Sequence, residues 1–253
     1  METLFYLFIF LFLVYVLTVI YFYFTQDKKI FNRIWAVPVE VKNVKKVFFK
    51  TSQGCVLEGG YLKNVKNGKL VLYFGGNANN VFEFLDNIAP NLKRYNFISF
   101  NYPGYSNSEC TPSEEGILKA AVEIYDKYKP DIIMGRSLGS AVAAYTAFKK
   151  NPEGVLLVTP FDSIAEIAKD KYPFLPVGIL LKHKFEEYKW IGKYKGKVNV
   201  LLVEKDDIIP EKSIEKLLKS IPDLQKTVKI NTSHSDVYKH KEIFKILDNL
   251  LNF

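Results

Sequence analysis

Strand and helix signals that alternate along most of the chain predict an α/β protein with a mainly parallel, doubly wound sheet. Two further observations refine this. The short apolar strand Asp131–Gly135 runs directly into Gly135-Arg136-Ser137-Leu138-Gly139, and small residues open a helix behind it at Ser140-Ala141-Val142-Ala143-Ala144. From Thr3 to Thr25 there is no charge, and nearly every residue is Leu, Ile, Val, Phe or Tyr. That run is long enough to cross a hydrocarbon core as a helix. A cleaved signal peptide fits poorly, because Glu2 stands where a basic n-region belongs and no small-x-small cleavage site follows. The expected organisation is a transmembrane anchor over 1–25, a juxtamembrane linker over 26–43 and one catalytic-sized domain over 44–253.

The elements follow in order. Val44–Phe49 and Cys55–Leu62 read as two strands joined by the Ser52-Gln53-Gly54 turn. Lys69–Phe74 is a short apolar strand, Val81–Ile88 a helix stopped by Pro90, and Asn96–Tyr102 another strand. Glu114–Tyr128 has helical periodicity with acidic residues in its first turn. The strand Asp131–Gly135 and the helix Ala141–Lys150 flank the Gly-Ser-Gly turn. Gly154–Thr159 and Val198–Val203 read as buried strands, Glu211–Ile221 as a helix, Thr227–Ile230 as the last strand and Lys241–Asn252 as a closing amphipathic helix. Between Phe161 and Lys195, Pro173, Pro176 and many aromatics suggest a small lid over a pocket.

The formal charge is +8, and Glu2 is the only charged residue before Gln26. The lysines are scattered among acids rather than interleaved with aromatics, so no nucleic-acid surface is predicted. A basic surface of this kind suits anionic lipid headgroups. Lys28, Lys29 and Arg33 follow the apolar run, and the positive-inside rule then places the domain in the cytoplasm of a single-pass protein. The two cysteines, Cys55 and Cys110, make no disulfide framework and agree with a reducing compartment.

A serine on a sharp turn between strand and helix exposes its Oγ above a sheet, beside the free N–H groups of the helix N-terminus. It needs a base, and the chain has three histidines. His234 follows the final strand and precedes the final helix, the position that suits a base; His240 lies at the start of that helix and His183 in the lid segment. The acid is expected after the preceding strand, where Leu201-Leu202-Val203-Glu204-Lys205 runs out into Asp206; Asp207 and Asp162 are the alternatives. The order Ser137, Asp206, His234 is the nucleophile–acid–base order of one hydrolase class. Two N–H donors for a developing oxyanion are expected from Leu138 and from Asn77, which lies in the Gly75-Gly76-Asn77-Ala78-Asn79-Asn80 loop after an early strand.

Tyr73-Phe74-Gly75-Gly76-Asn77-Ala78, Asn101-Tyr102-Pro103-Gly104-Tyr105-Ser106, Ser113-Glu114-Glu115-Gly116, the Ser137 pentapeptide and Thr159-Pro160-Phe161-Asp162-Ser163 occur in this order, followed by Tyr172-Pro173, Lys205-Asp206-Asp207-Ile208-Ile209-Pro210 and Ser233-His234. Together they resemble the membrane-anchored α/β-hydrolase domain proteins over about residues 40–250. The resemblance implies the α/β-hydrolase fold and a serine hydrolase of esters or thioesters, acting on a lipid or an S-acylated protein at the membrane, with no cofactor and no metal. A peptidase-like hydrolase and a catalytically weak binding protein are the other readings. The chain departs from the family pattern at Gly75, where a histidine is usual, at Pro103 for arginine, at Asn79 and Ser106 for glycines, and at Val203 for the glycine before the acid.

Overall fold

The computed structural model describes residues 1–253. Its centre is an eight-stranded sheet of β1 (Lys45–Lys50), β2 (Val56–Leu62), β3 (Lys69–Phe74), β4 (Tyr95–Phe100), β5 (Ile132–Arg136), β6 (Gly154–Val158), β7 (Lys197–Lys205) and β8 (Leu224–Ser233). The spatial order is β1-β2-β4-β3-β5-β6-β7-β8. β1 pairs antiparallel with β2, and β2 with β4; every other pairing is parallel. The inner strands β4, β5 and β6 are buried along their whole length, which explains why they are mostly apolar rather than alternating; Asn96, Ser99 and Arg136 are the buried polar exceptions.

Helices cover both faces. The helices α3 (Glu114–Tyr128), α4 (Leu138–Lys150) and α8 (Glu211–Ser220) pack with one face of the sheet, and α2 (Val81–Asn87) and α9 (Ile243–Leu250) with the other. Three short helices, α5 (Ile164–Lys171), α6 (Val177–Leu180) and α7 (Glu187–Ile191), build the predicted lid segment. Glu114 ties this segment to α3, accepting hydrogen bonds from the Lys184 and Phe185 N–H groups.

The boundaries differ from expectation in two instructive places. Helix α4 begins at Leu138, three residues earlier than expected, because the turn from β5 is a single residue, Ser137. Strand β8 spans Leu224–Ser233 rather than Thr227–Ile230. It is an edge strand with one face in solvent, so an apolar run marks only its middle.

Helix α1 (Glu2–Ile30) is long and apolar enough to cross a membrane. At about 1.5 Å per residue, its uncharged part measures about 35 Å against a hydrocarbon core of about 30 Å. The helix does not stop at Thr25, and the segment expected to be a linker is packed against the domain. Gln26, Ile30, Phe31 and Ala36 are buried, and Ile30, Phe31 and Ala36 belong to the core on the α3–α4 side. The Gln26 side chain bridges to the lid, donating to the Leu180 carbonyl (3.1 Å) and accepting from the Lys182 N–H (2.8 Å). The Ser106 N–H bonds the Ala36 carbonyl (2.9 Å), and Asn80 Nδ2 bonds the Val37 carbonyl (2.7 Å).

The reading of the cysteines is also corrected. Cys55 and Cys110 form a disulfide that joins the start of β2 to the loop before α3 across 55 residues of sequence. Loops rather than elements carry both cysteines, so no periodicity signals that they meet. With both sulfurs paired, the cysteines no longer support a reducing compartment.

Candidate active site

The Gly-x-Ser-x-Gly turn is held by sterics. A Cβ on Gly135 would lie 2.1 Å from the Gly139 carbonyl oxygen, and one on Gly139 would lie 2.2 Å from that of Phe74. Both positions therefore demand glycine. Between them Ser137 adopts φ 50°, ψ −121°, a conformation that a side-chain-bearing residue keeps only when its surroundings enforce it. The enforcing contacts are backbone bonds on both sides: Ser137 N–H to the Val158 carbonyl (2.9 Å) and Ser140 N–H to the Ser137 carbonyl (2.7 Å).

The structure brings Ser137, His234 and Asp206 together. His234, which follows β8 directly, is 3% exposed and places Nε2 3.0 Å from Ser137 Oγ. Its Nδ1 stands 2.9 Å from Oδ2 and 3.1 Å from Oδ1 of Asp206, the residue after β7. Burial works against the charge on Asp206. The hydrogen bond and attraction from His234, with the Ile209 and Ile208 N–H groups on Oδ1, outweigh it and hold the carboxyl below its ordinary value. The carboxylate is thus ionised and aimed at the imidazole.

The alternatives are placed elsewhere. Asp207 is exposed. Asp162 is buried, with its oxygens taken by the Ser163 N–H, the Ser213 hydroxyl and Lys216 Nζ. His183 sits at the joint between lid and α1, with Nε2 3.3 Å from Asp27 and its ring edge-on to Phe31. His240 accepts from the Glu242 N–H at the start of the last helix.

Gly76 lies beside the serine: a Cβ there would come within 3.6 Å of Ser137 Cβ. The backbone N–H groups of Asn77 and Leu138 make no hydrogen bond within the chain, so both are available to a ligand. Position 75 lacks a histidine, but the loop is braced by other means. Tyr102 Oη donates to the Gly75 carbonyl (2.8 Å) and Tyr105 Oη to the Asn77 carbonyl (2.9 Å). Burial raises both phenol pKa values, so both hydroxyls stay protonated and able to donate.

Two contributors had no sequence signal. Arg136, the variable residue before the serine, is 8% exposed. Its guanidinium donates to Asn79 Oδ1 (2.7 Å) and to the His234 carbonyl (3.0 Å), so it links the Gly75–Asn80 loop to the His234 loop. Glu187 of α7 is fully buried below the turn, with Oε2 2.7 Å from Ser140 Oγ, and Ser140 Oγ is 2.6 Å from the Ser137 carbonyl. Burial pushes the Glu187 carboxyl well above its ordinary value, and its Oε1 has no partner. A neutral carboxyl donating to Ser140, which donates in turn to Ser137, satisfies this chain of contacts. Because Arg136 and Glu187 act through tertiary contacts, only the folded chain reveals them.

A serine on this turn, beside a buried histidine at the carboxyl edge of a doubly wound sheet, defines a protein of the α/β-hydrolase fold. No family model matches the chain. Known proteins similar to it include α/β hydrolases. It is 32% identical over 144 residues to an α/β-hydrolase domain-containing protein of Arabidopsis thaliana, covering 51% of this chain and 46% of that one. It is 26% identical over 223 residues to the lysophosphatidylserine lipase of Mus musculus, 71% of this chain and 53% of that one. An uncharacterised membrane protein of Saccharomyces cerevisiae is 29% identical over 199 residues, 73% of this chain and 70% of its own. Among solved structures, an esterase of Pyrococcus furiosus superposes with a TM-score of 0.65 at 15% identity, covering 85% of this chain and 97% of that one.

Proposed function

We propose that this protein is a membrane-anchored serine hydrolase that cleaves acyl esters or thioesters. The observation that carries the reading is the unbroken contact from Asp206 through His234 to Ser137 Oγ, at the floor of a cavity of about 530 Å³. In this reading His234 Nε2 takes the Ser137 proton as Oγ attacks the acyl carbonyl carbon. Asp206 holds the imidazole in the tautomer with the proton on Nδ1 and stabilises the imidazolium that forms. The N–H groups of Asn77 and Leu138 receive the negative oxygen. His234 then gives its proton to the departing alkoxide or thiolate as the C–O or C–S bond breaks. Water, deprotonated by the same imidazole, adds to the acyl carbon and releases the acid and free Ser137.

The apolar α1 and the yeast relative's description as a membrane protein support the anchor. The lipase among the relatives supports an ester of a membrane-resident amphiphile, and an S-acyl group on a protein offers the same acyl carbonyl. Two features bear on orientation. Lys28, Lys29 and Arg33 favour a cytoplasmic domain. The Cys55–Cys110 bond favours an oxidising compartment. Protease protection in sealed cells assigns the side: digestion only after lysis supports the cytoplasm.

The activity test is a fluorophosphonate probe applied to membranes containing wild type or Ser137→Ala. Labelling that depends on Ser137 is expected; its absence would turn the reading to a binding protein that keeps the fold without the chemistry. Acyl esters against aminoacyl substrates then separate esterase from peptidase.

A further inference from the structure

We infer that the end of the anchor helix forms one wall of the acyl-chain subsite, so that the chain of a membrane-resident substrate runs from Ser137 between α1 and the lid toward the bilayer. This rests on the hydrolase reading and adds the place where the acyl group lies.

Two cavities meet at the anchor. The larger holds Ser137 and His234 and extends to Lys29, Ile30 and Asn32 at the end of α1. The smaller is enclosed by Phe22, Tyr23 and Gln26 of α1 on one side and by Leu175, Val177 and Leu180 of the lid on the other. Lys29, Ile30, Ile164, Ala168 and Tyr172 line both, so the two cavities adjoin along these side chains, and the proposed path runs from one to the other. Ten of the twelve residues around the smaller cavity are hydrophobic, which suits methylene groups and nothing polar.

The direction of the groove comes from independent contacts. The lid follows α1 back toward its apolar middle: Phe22 and Tyr172 rings meet edge to face at 4.7 Å, and Tyr15 Oη donates to the Phe174 carbonyl (3.2 Å). From Tyr15 to Ile30 the helix climbs about 22 Å. Phe174, at the level of Tyr15, is 56% exposed, and Ile179, beside the Leu180 that bonds Gln26, is 88% exposed, an arrangement unfavourable in water and favourable in lipid. With α1 in the bilayer, the lid tip enters the same leaflet, and the smaller cavity opens beside hydrocarbon. A chain passing from leaflet to groove exchanges one apolar environment for another, while only its carbonyl reaches the polar end at Ser137.

The test uses the full-length protein in phosphatidylcholine vesicles. The probe is a hexadecyl fluorophosphonate with a diazirine at the far end of the chain. Ser137 capture is scored first, by loss of labelling in Ser137→Ala; no capture removes the hydrolase reading and this inference with it. After irradiation, adducts are expected on peptides containing residues 22–30 and 175–181. Capture at Ser137 with adducts only elsewhere on the domain would overturn the subsite and leave the hydrolase reading standing.

A second measurement uses Leu180→Trp and Leu180→Ala, which narrow and widen the smaller cavity. The ratio of kcat/KM for hexadecanoyl over butanoyl esters is expected to fall at least tenfold in Leu180→Trp and to hold or rise in Leu180→Ala. An unchanged ratio in both, with Ser137 capture intact, rejects the groove. Running the comparison with a lipid ester and with an S-hexadecanoyl peptide identifies the source of the chain by which of the two shows the loss.

Discussion

Glu187 offers the sharpest test of how the serine turn is supported. Its carboxyl is fully buried, one oxygen is unpartnered, and the charge that acts on it is the like-signed Asp162. Burial therefore raises its pKa in the folded state above its unfolded value. The native protein binds more protons at this site than the unfolded chain does, so the site's contribution to stability is fully present below the ordinary carboxylate range. It is lost as pH rises toward the folded pKa. Glu187→Gln keeps the shape and can still donate to Ser140, but does not titrate. Its stability relative to wild type should therefore improve as pH rises above the ordinary glutamate value, with a slope of at most about 1.4 kcal/mol per pH unit. Urea unfolding in detergent micelles at pH 5, 6, 7 and 8 reads the difference. Two stability curves that stay parallel across this range would refute a neutral, buried Glu187. Fluorophosphonate labelling of Ser137 should stay within a few-fold of wild type in Glu187→Gln, because the relay through Ser140 survives.

Further expectations concern the braces around the site. Arg136→Met removes two short charge-assisted hydrogen bonds, each worth about 1.5–3 kcal/mol, and a longer third to the Ser235 carbonyl, while sparing the cost of burying a charge. A net loss of about 2 kcal/mol in urea unfolding is expected together with slower Ser137 labelling, and an unaltered labelling rate would show that the two loops hold their places without it. Tyr102→Phe deletes one donor to Gly75 and should cost about 1 kcal/mol. Gly75→Ala, whose Cβ would meet nothing nearer than 3.5 Å, should be nearly silent in the same assay. Cys55→Ser opens a long loop and should lower stability by about 2–4 kcal/mol, against no change if the thiols are unpaired in the isolated protein. Maleimide labelling before and after reduction reports the pairing itself.

The parts of this molecule that were legible in its sequence are those whose cause is local. Apolar strands in the sheet interior, the acidic first turn of α3, and the glycines around Ser137 each state their structure within a few residues. The positions of Asp206 and His234 were legible for a related reason: each follows directly on a strand of the parallel half of the sheet, and parallel strands end on the same side. What stayed hidden depends on partners distant in sequence. Glu187 reads as one more charge in a lid rich in Lys and Glu, yet it is buried under the serine turn because α7 packs against α4. Arg136 occupies the position that the Gly-x-Ser-x-Gly pattern leaves free, and its partners are 57 and 98 residues away. The disulfide likewise joins two loops that share no periodic signal.

The segment after Thr25, expected as a linker, instead joins α1 firmly to the domain. A flexible linker over 26–43 would leave the domain free to rotate about α1. Instead, Gln26 spends both ends of its amide on the lid backbone, Ile30 and Phe31 enter the core, and Asn77 Nδ2 reaches the Ile30 carbonyl. The helix is thereby fastened on one side to the lid and on the other to the loop beside Ser137. Rotation of the domain about the anchor would have to break those contacts and expose two large apolar side chains, at about 1.5–3 kcal/mol for each side chain alone. These contacts fix Ser137 and the lid at one angle to α1. With α1 spanning a bilayer as proposed, the site would not swing over the surface; its access would be set by what the leaflet beside α1 contains.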